Sequence, residues 1–187
     1  MSQIIPIVSF VAPSGTGKTT LIEGVVRILV ERGLHICVLK HDAHHLQLDT
    51  PGKDTWRFRR AGAFRTVIAS TEELGVFSAL QGEVTIGGIL ERYARDADLV
   101  LTEGFRRAQV DMIRVHRKDG PDGQGWEMPG DPIAWVTDGL APKGVVTLPL
   151  NDVSVIADYL QQRYLASGRR LADCSLVLPV GPRVSNA

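Results

Sequence analysis

Ala12-Pro13-Ser14-Gly15-Thr16-Gly17-Lys18-Thr19-Thr20 is the stretch of this chain best suited to do chemistry. It is a Gly-rich loop set between an apolar run and a run of helical periodicity. In that setting successive backbone N–H groups turn inward and the helix N-terminus adds partial positive charge, which together hold a di- or triphosphate. Gly15 and Gly17 permit backbone conformations and close approaches that a side chain would block. Lys18 is placed to reach the β- and γ-phosphates, and the Thr19 hydroxyl to ligate Mg²⁺. The nucleotide-binding candidates are therefore Pro13, Ser14, Gly15, Thr16, Gly17, Lys18, Thr19 and Thr20. The usual pattern opens on Gly where this chain has Ala12. Alanine disfavours positive φ, so a slightly different loop entry is expected. The plainer alternative is a Gly-rich turn that only caps a helix.

Such a loop needs carboxylates at the C-terminal ends of neighbouring strands, to hold the metal or its water shell. Glu103 directly follows the apolar run Asp98–Thr102, and Gly104 leaves room beside it. Lys18 and Glu103 are the catalytic candidates, set against an ordinary acidic residue in a strand-end turn. Asp42, Asp49 and Asp54 lie beyond the second apolar run, and at least one is expected to face the metal. Asp42 and Asp54 join Thr19 and Glu103 as the metal set.

Lys40-His41-Asp42-Ala43-His44-His45 gathers three of the five histidines. His41 and His45 have the i, i+4 spacing that lets two imidazoles grip one metal on a helix. The segment reads as loop before Pro51-Gly52, which favours hydrogen bonding to an anionic ligand or partner through Lys40, His41, His44 and His45. A solvated polar loop is the simpler account. Lys53 and Arg57, with Arg59 and Arg60 close by, extend the basic cluster, which a charged helix face would equally explain.

These residues need a scaffold. Ile4–Val11 reads as a strand buried on both faces, Lys18–Arg32 as a helix stopped by Gly33, and His35–Leu39 as a second strand, which makes a βαβ unit. Strands are expected at Arg65–Ala69, Asp98–Thr102, Met112–His116 and Ile133–Thr137, and helices at Thr55–Ala61 and Ile86–Arg95. Lys118–Asp131 is a Gly- and Pro-rich loop, and Asn151 or Asp152 caps a last helix that runs to Leu165. The expected fold is α/β, with a mostly parallel sheet and helices on both faces in three layers. Residues 1–165 are read as one nucleotide-binding domain and 166–187 as a tail without clear periodicity.

Composition limits the alternatives. The chain has 187 residues, with Lys plus Arg and Asp plus Glu both at 21. That neutrality argues against a nucleic-acid partner. No apolar run approaches the length of a membrane span, so a soluble cytoplasmic protein is expected. Cys37 and Cys174 stand far apart, which excludes a disulfide framework or a Cys-based zinc site as the organising principle.

Taken in order and spacing over roughly residues 4–165, the chain resembles the molybdopterin-guanine dinucleotide biosynthesis adapter (MobB) family. The resemblance runs through the phosphate loop, Lys40-His41-Asp42-Ala43-His44-His45, Asp49-Thr50-Pro51-Gly52-Lys53-Asp54-Thr55-Trp56-Arg57, Ala61-Gly62-Ala63 and Glu103-Gly104-Phe105. Where the family carries Lys-Ile-Glu, this chain has Met112-Ile113-Arg114. The resemblance implies a P-loop NTPase-type fold and a homodimer that binds GTP with Mg²⁺ and hydrolyses it slowly at most. It also implies a partner, the molybdopterin guanylyltransferase MobA, with molybdopterin or molybdenum cofactor as a further ligand. Guanine selection rests on the resemblance. The carboxylate of Asp138 in Thr137-Asp138 could meet the guanine N1–H and N2–H₂ pair, and could equally open the turn before Gly139. Two other readings stay open: an ATP-dependent small-molecule kinase or ligase of the dethiobiotin-synthetase type, and a metal-delivery GTPase.

Overall fold

Ile7–Val11 forms β1, and all five of its residues are buried, as in a strand with neighbours at both edges and cover on both faces. The computed structural model describes residues 5–41, 49–79, 84–105, 109–121, 127–128, 130–165 and 177–178. After β1 come α1 (Lys18–Glu31), β2 (Ile36–Lys40), α2 (Asp54–Arg60), β3 (Arg65–Ala69) and β4 (Leu74–Ser78). The chain continues through β5 (Val84–Thr85), α3 (Ile86–Tyr93), β6 (Leu99–Glu103), β7 (Asp111–His116) and β8 (Ala134–Thr137). It ends with β9 (Thr147–Pro149), α4 (Val153–Leu160), a π-helical turn at Gln161–Leu165, and β10 (Val177–Leu178).

The chain divides into two compact units: Met1–His41 with Thr85–Leu176, and Asp42–Val84 with Val177–Ala187. The first is built on a six-stranded sheet in the order β2-β6-β1-β7-β8-β9. Every neighbouring pair in it is parallel. From β1 the chain runs to β2 at one edge and fills β6 between them, then places β7, β8 and β9 on the other side. Strand order therefore reverses at β1, and the crevice beyond its C-terminal end is where α/β sheets bind ligands.

Apolar side chains alternate across this sheet. Val8, Phe10, Leu99, Leu101, Ile113 and Val115 pack with Leu21, Ile22, Val25 and Leu29 of α1 and with Ile156, Ala157 and Leu160 of α4. Each such Val, Leu, Ile or Phe side chain, fully buried, contributes on the order of 1.5–3 kcal/mol relative to exposure. Asp152 caps α4, its carboxylate accepting from the N–H groups of Ser154 and Val155. Gly24 lets the two helices close together, since a Cβ there would stand 3.0 Å from Val153 Cγ1.

In the second unit β3 and β4 pair antiparallel, Arg65 opposite Ser78 and Ala69 opposite Leu74. Asp49 pins the entry to α2, accepting from Thr50 N–H at 2.9 Å and from the Thr55 hydroxyl at 3.0 Å. Phe64, Val67, Ile68, Leu74 and Val76 leave the hairpin with exposed apolar surface.

Candidate functional site

The loop from Pro13 to Gly17 is shaped by its own groups. Gly15 and Gly17 take φ of 78° and 91°, in the left-handed region that the glycines were expected to supply. Thr16 is buried, and its hydroxyl donates to the Pro13 carbonyl at 2.8 Å, which closes the turn from inside. Lys18 Nζ donates to the carbonyls of Ala12 and Pro13, 3.0 Å from each. Among the described residues only glycines have positive φ, so Ala12 enters the loop without the strain its substitution for Gly implied. Ser14, Thr19 and Thr20 face solvent at the mouth.

On the β6 side the sequence-distant partner is in place. Thr19 Oγ1 donates towards Glu103, 3.1 Å from Oε1 and 3.2 Å from Oε2. Glu103 is the last residue of β6, register partner of Lys40 on β2 and of Phe10 on β1. Lys40 Nζ lies 3.8 Å from Oε2 of this carboxylate, whose side chain is 15% exposed. Gly104 follows with φ of 94°, and a Cβ there would collide with the carbonyl of His41. His41 itself donates its N–H to the Glu103 carbonyl at 2.9 Å, and its ring stands 5.1 Å from that of Phe105.

Burial holds the Lys18 ammonium below its ordinary pKa, with Arg114 and Lys40 pushing the same way against the opposing pull of Glu103. Lys18, with Arg114 and Lys40 close enough to act on it, gathers positive charge that suits an anion bound at the loop mouth. The Thr19 hydroxyl and the Glu103 carboxylate offer the hard oxygen donors that Mg²⁺ takes together with phosphate oxygens. Among the described residues no group of three His, Cys, Asp or Glu side chains forms a metal cage. As hard oxygen donors, Thr19 and Glu103 fit an ion shared with a phosphate ligand.

Beyond Asp138, motif spacing did not single out residues on the β7 side. Arg114, register partner of Val11, is half-buried, its guanidinium 5.9 Å from the Trp135 ring centroid. Burial lowers its pKa. Arg117 follows β7 and meets Gly17, and its Nη1 lies 3.9 Å from Asp138 Oδ2. Asp138 Oδ1 accepts from Lys118 N–H at 2.7 Å. That bond holds the carboxyl below the usual range, with Arg117 and His116 adding to it against desolvation. His116 Nδ1 meets Thr137 Oγ1 at 2.8 Å, tying the ends of β7 and β8 together. The available signal was position alone: basic residues at the C-terminal end of a strand beside the phosphate loop.

The remaining candidates divide. Lys53, Asp54 and Arg57 lie at the start and along the length of α2 in the second unit, Asp54 paired with Arg57 at 3.7 Å. Asp49 bonds within that unit, its Oδ2 3.5 Å from Arg59 Nη1. Asp42, His44 and His45 lie outside the described residues, as does almost all of the tail from residue 166.

The family model for molybdopterin guanine dinucleotide synthesis protein B (MobB) matches residues 7–138, from β1 to the Asp138 turn. The chain belongs to this family. A MobB relative in Escherichia coli, a molybdopterin-guanine dinucleotide biosynthesis adapter protein, is 33% identical over 84% of this chain and 92% of its own. The adapter of the same name from Haemophilus influenzae is 33% identical over 64% of this chain and 67% of its own. A crystal structure of a MobB protein superposes with a TM-score of 0.70 at 34% identity, covering 84% of this chain and 99% of that one. Bacillus subtilis MobB does so with a TM-score of 0.70 at 26% identity, over 86% and 98%. The three-layer P-loop α/β fold expected from the sequence is the one shared with these structures.

Proposed function

We propose that the chain binds GTP together with Mg²⁺ at the loop Pro13–Thr20 and acts as an adapter in molybdopterin guanine dinucleotide biosynthesis, assisting the guanylyltransferase MobA. The convergence of Lys18, Thr19 and Glu103 at the C-terminal end of β1 carries the reading. Lys18 supplies a positive charge from within the loop, and backbone N–H groups with the α1 N-terminus supply the rest. Thr19 and Glu103 would hold Mg²⁺, which neutralises phosphate charge when bound.

Slow hydrolysis at most is part of the reading. Both oxygens of Glu103 face the Thr19 hydroxyl and Oε2 also faces Lys40, so this carboxylate is committed to the metal side and not to activating a water. Guanine preference and the adapter role follow the names of the relatives. A homodimer suits the exposed apolar surface of the β3–β4 hairpin, of the kind that self-association covers. Molybdopterin or molybdenum cofactor is proposed as a further anionic ligand, with Lys40 and His41 at the end of β2 as basic candidates.

Isothermal titration of the full chain with GTP and with ATP, each with Mg²⁺, tests the reading. GTP binds and ATP binds at least about tenfold more weakly, a gap of roughly 1.4 kcal/mol. Lys18→Ala abolishes tight GTP binding while its circular dichroism and melting curve match the parent. Unchanged GTP affinity in Lys18→Ala defeats the phosphate site, and equal or tighter ATP binding points to the kinase or ligase reading.

A further inference from the structure

The segment that leaves β7 touches the phosphate loop. At Gly17, on which α1 begins, a Cβ would stand 3.5 Å from Arg117 Nη2, and at Gly15 one would stand 3.6 Å from Pro121 Cγ. The guanidinium thus rests against the part of the loop where amide hydrogens and a helix N-terminus attract negative charge.

Its ionic partner, Asp138, is distant. Arg117 Nη1 lies 3.9 Å from Asp138 Oδ2, and the arginine side chain is 45% exposed. A pair of that length and exposure is weak and screened by salt. Asp138 anchors the segment by a different bond, the 2.7 Å contact from Lys118 N–H to Oδ1. The carboxylate therefore fixes the backbone just after Arg117 and orients the guanidinium without consuming it. Gly139, where a Cβ would stand 3.3 Å from both His116 Cε1 and Lys118 Cβ, lets the β8 turn close onto this segment.

Across the sheet the two sides of the loop differ in chemistry. On the β6 side stand Glu103 and Thr19, donors for a cation. On the β7 side stands a guanidinium, whose forked N–H groups match two phosphate oxygens at once. A ligand with both a metal-bound and a metal-free phosphate edge fits between them.

We infer that Arg117 is a nucleotide-binding residue whose guanidinium donates to phosphate oxygens on the side of the loop away from Glu103, with Asp138 as its positioning residue. The inference rests on the reading that this loop takes a nucleoside triphosphate. It adds a further cation to the site, on the side away from Glu103, and gives Asp138 a task that needs no contact with the base.

Titration of GTP and GDP into the full chain with Mg²⁺, at several salt concentrations, tests it with Arg117→Ala, Arg117→Lys and Asp138→Asn. Arg117→Ala is expected to weaken both nucleotides by about ten- to a hundredfold, the scale of a lost hydrogen bond to a charged group. The fall of affinity with salt becomes shallower, because one cation no longer meets the phosphates. Arg117→Lys recovers part of the affinity, and Asp138→Asn gives a smaller loss than Arg117→Ala with an unchanged salt slope. Arg117→Ala binding both nucleotides within about twofold of the parent overturns the assignment while leaving the phosphate loop standing. An unchanged salt slope with a lowered melting temperature of the nucleotide-free protein marks a structural arginine, and overturns it too. A parent protein that binds neither nucleotide removes the loop reading itself, and this assignment with it.

Discussion

Glu103 meets three demands at once. Its carbonyl accepts from His41 N–H, its carboxylate faces the Thr19 hydroxyl, and Oε2 faces Lys40. Glu103→Gln keeps the shape and most of the hydrogen-bonding capacity but removes the charge a divalent cation needs. GTP affinity measured with Mg²⁺ is expected to fall by about tenfold or more, and affinity measured in chelator to change little. Equal losses in the two titrations would remove Glu103 from the metal side. Lys18, Thr19 and Glu103 were legible in the sequence because loop chemistry fixes the first two, and a strand ending in Glu-Gly marks the third. Arg114 and Arg117 were not. Nothing local distinguishes a basic residue at the end of β7 from any other surface charge until β7 is known to lie against β1.

At the scale of elements, the far end of β7 shows what anchors the sheet to its helical layer. The π-helical turn after α4 brings Arg163 Nη2 to 3.2 Å and Tyr164 Oη to 2.7 Å from Asp111 Oδ2, at the first residue of β7. Tyr164 is buried, and burial together with the Asp111 carboxylate pushes its phenol well above the usual tyrosine range. A raised pKa favours the protonated form in the folded state. Its stabilisation is complete below the unfolded value near 10 and is lost progressively as pH rises beyond it. Tyr164→Phe is expected to cost roughly 1.5–3 kcal/mol in urea unfolding at neutral pH, with the gap from the parent narrowing above about pH 10. A gap that stays constant through that range would mean the phenol does not titrate against folding. The sequence pattern marked this helix as running to Leu165, since apolar spacing continues past Leu160. The change of winding coincides with the bonds of Arg163 and Tyr164 to Asp111, a half-buried partner on β7 that the local pattern does not show. Strands β4 and β9 also went unread: Gly75 interrupts the first, and the second is only three residues long. The buried runs of β1 and β6 were plain because strands covered on both faces carry apolar residues almost throughout.

For the whole molecule, the exposed apolar hairpin and a net charge of zero favour association with itself. Sedimentation of the parent at micromolar concentration is expected to give a dimer, and Leu74→Glu, on a side chain 69% exposed, a folded monomer. A monomeric parent would leave the hairpin without that role. Family membership was legible at this scale because the quoted runs lie in order across both units, whereas charge balance argued against a nucleic-acid partner and named no other. The sheet order has one more consequence. Both strands that flank β1, namely β6 and β7, are synthesised some ninety or more residues after it. Contacts so distant along the chain close late and slowly. The loop between β1 and α1 therefore precedes in the chain both strands that frame it, so the crevice it faces takes shape only after β6 and β7 have joined β1.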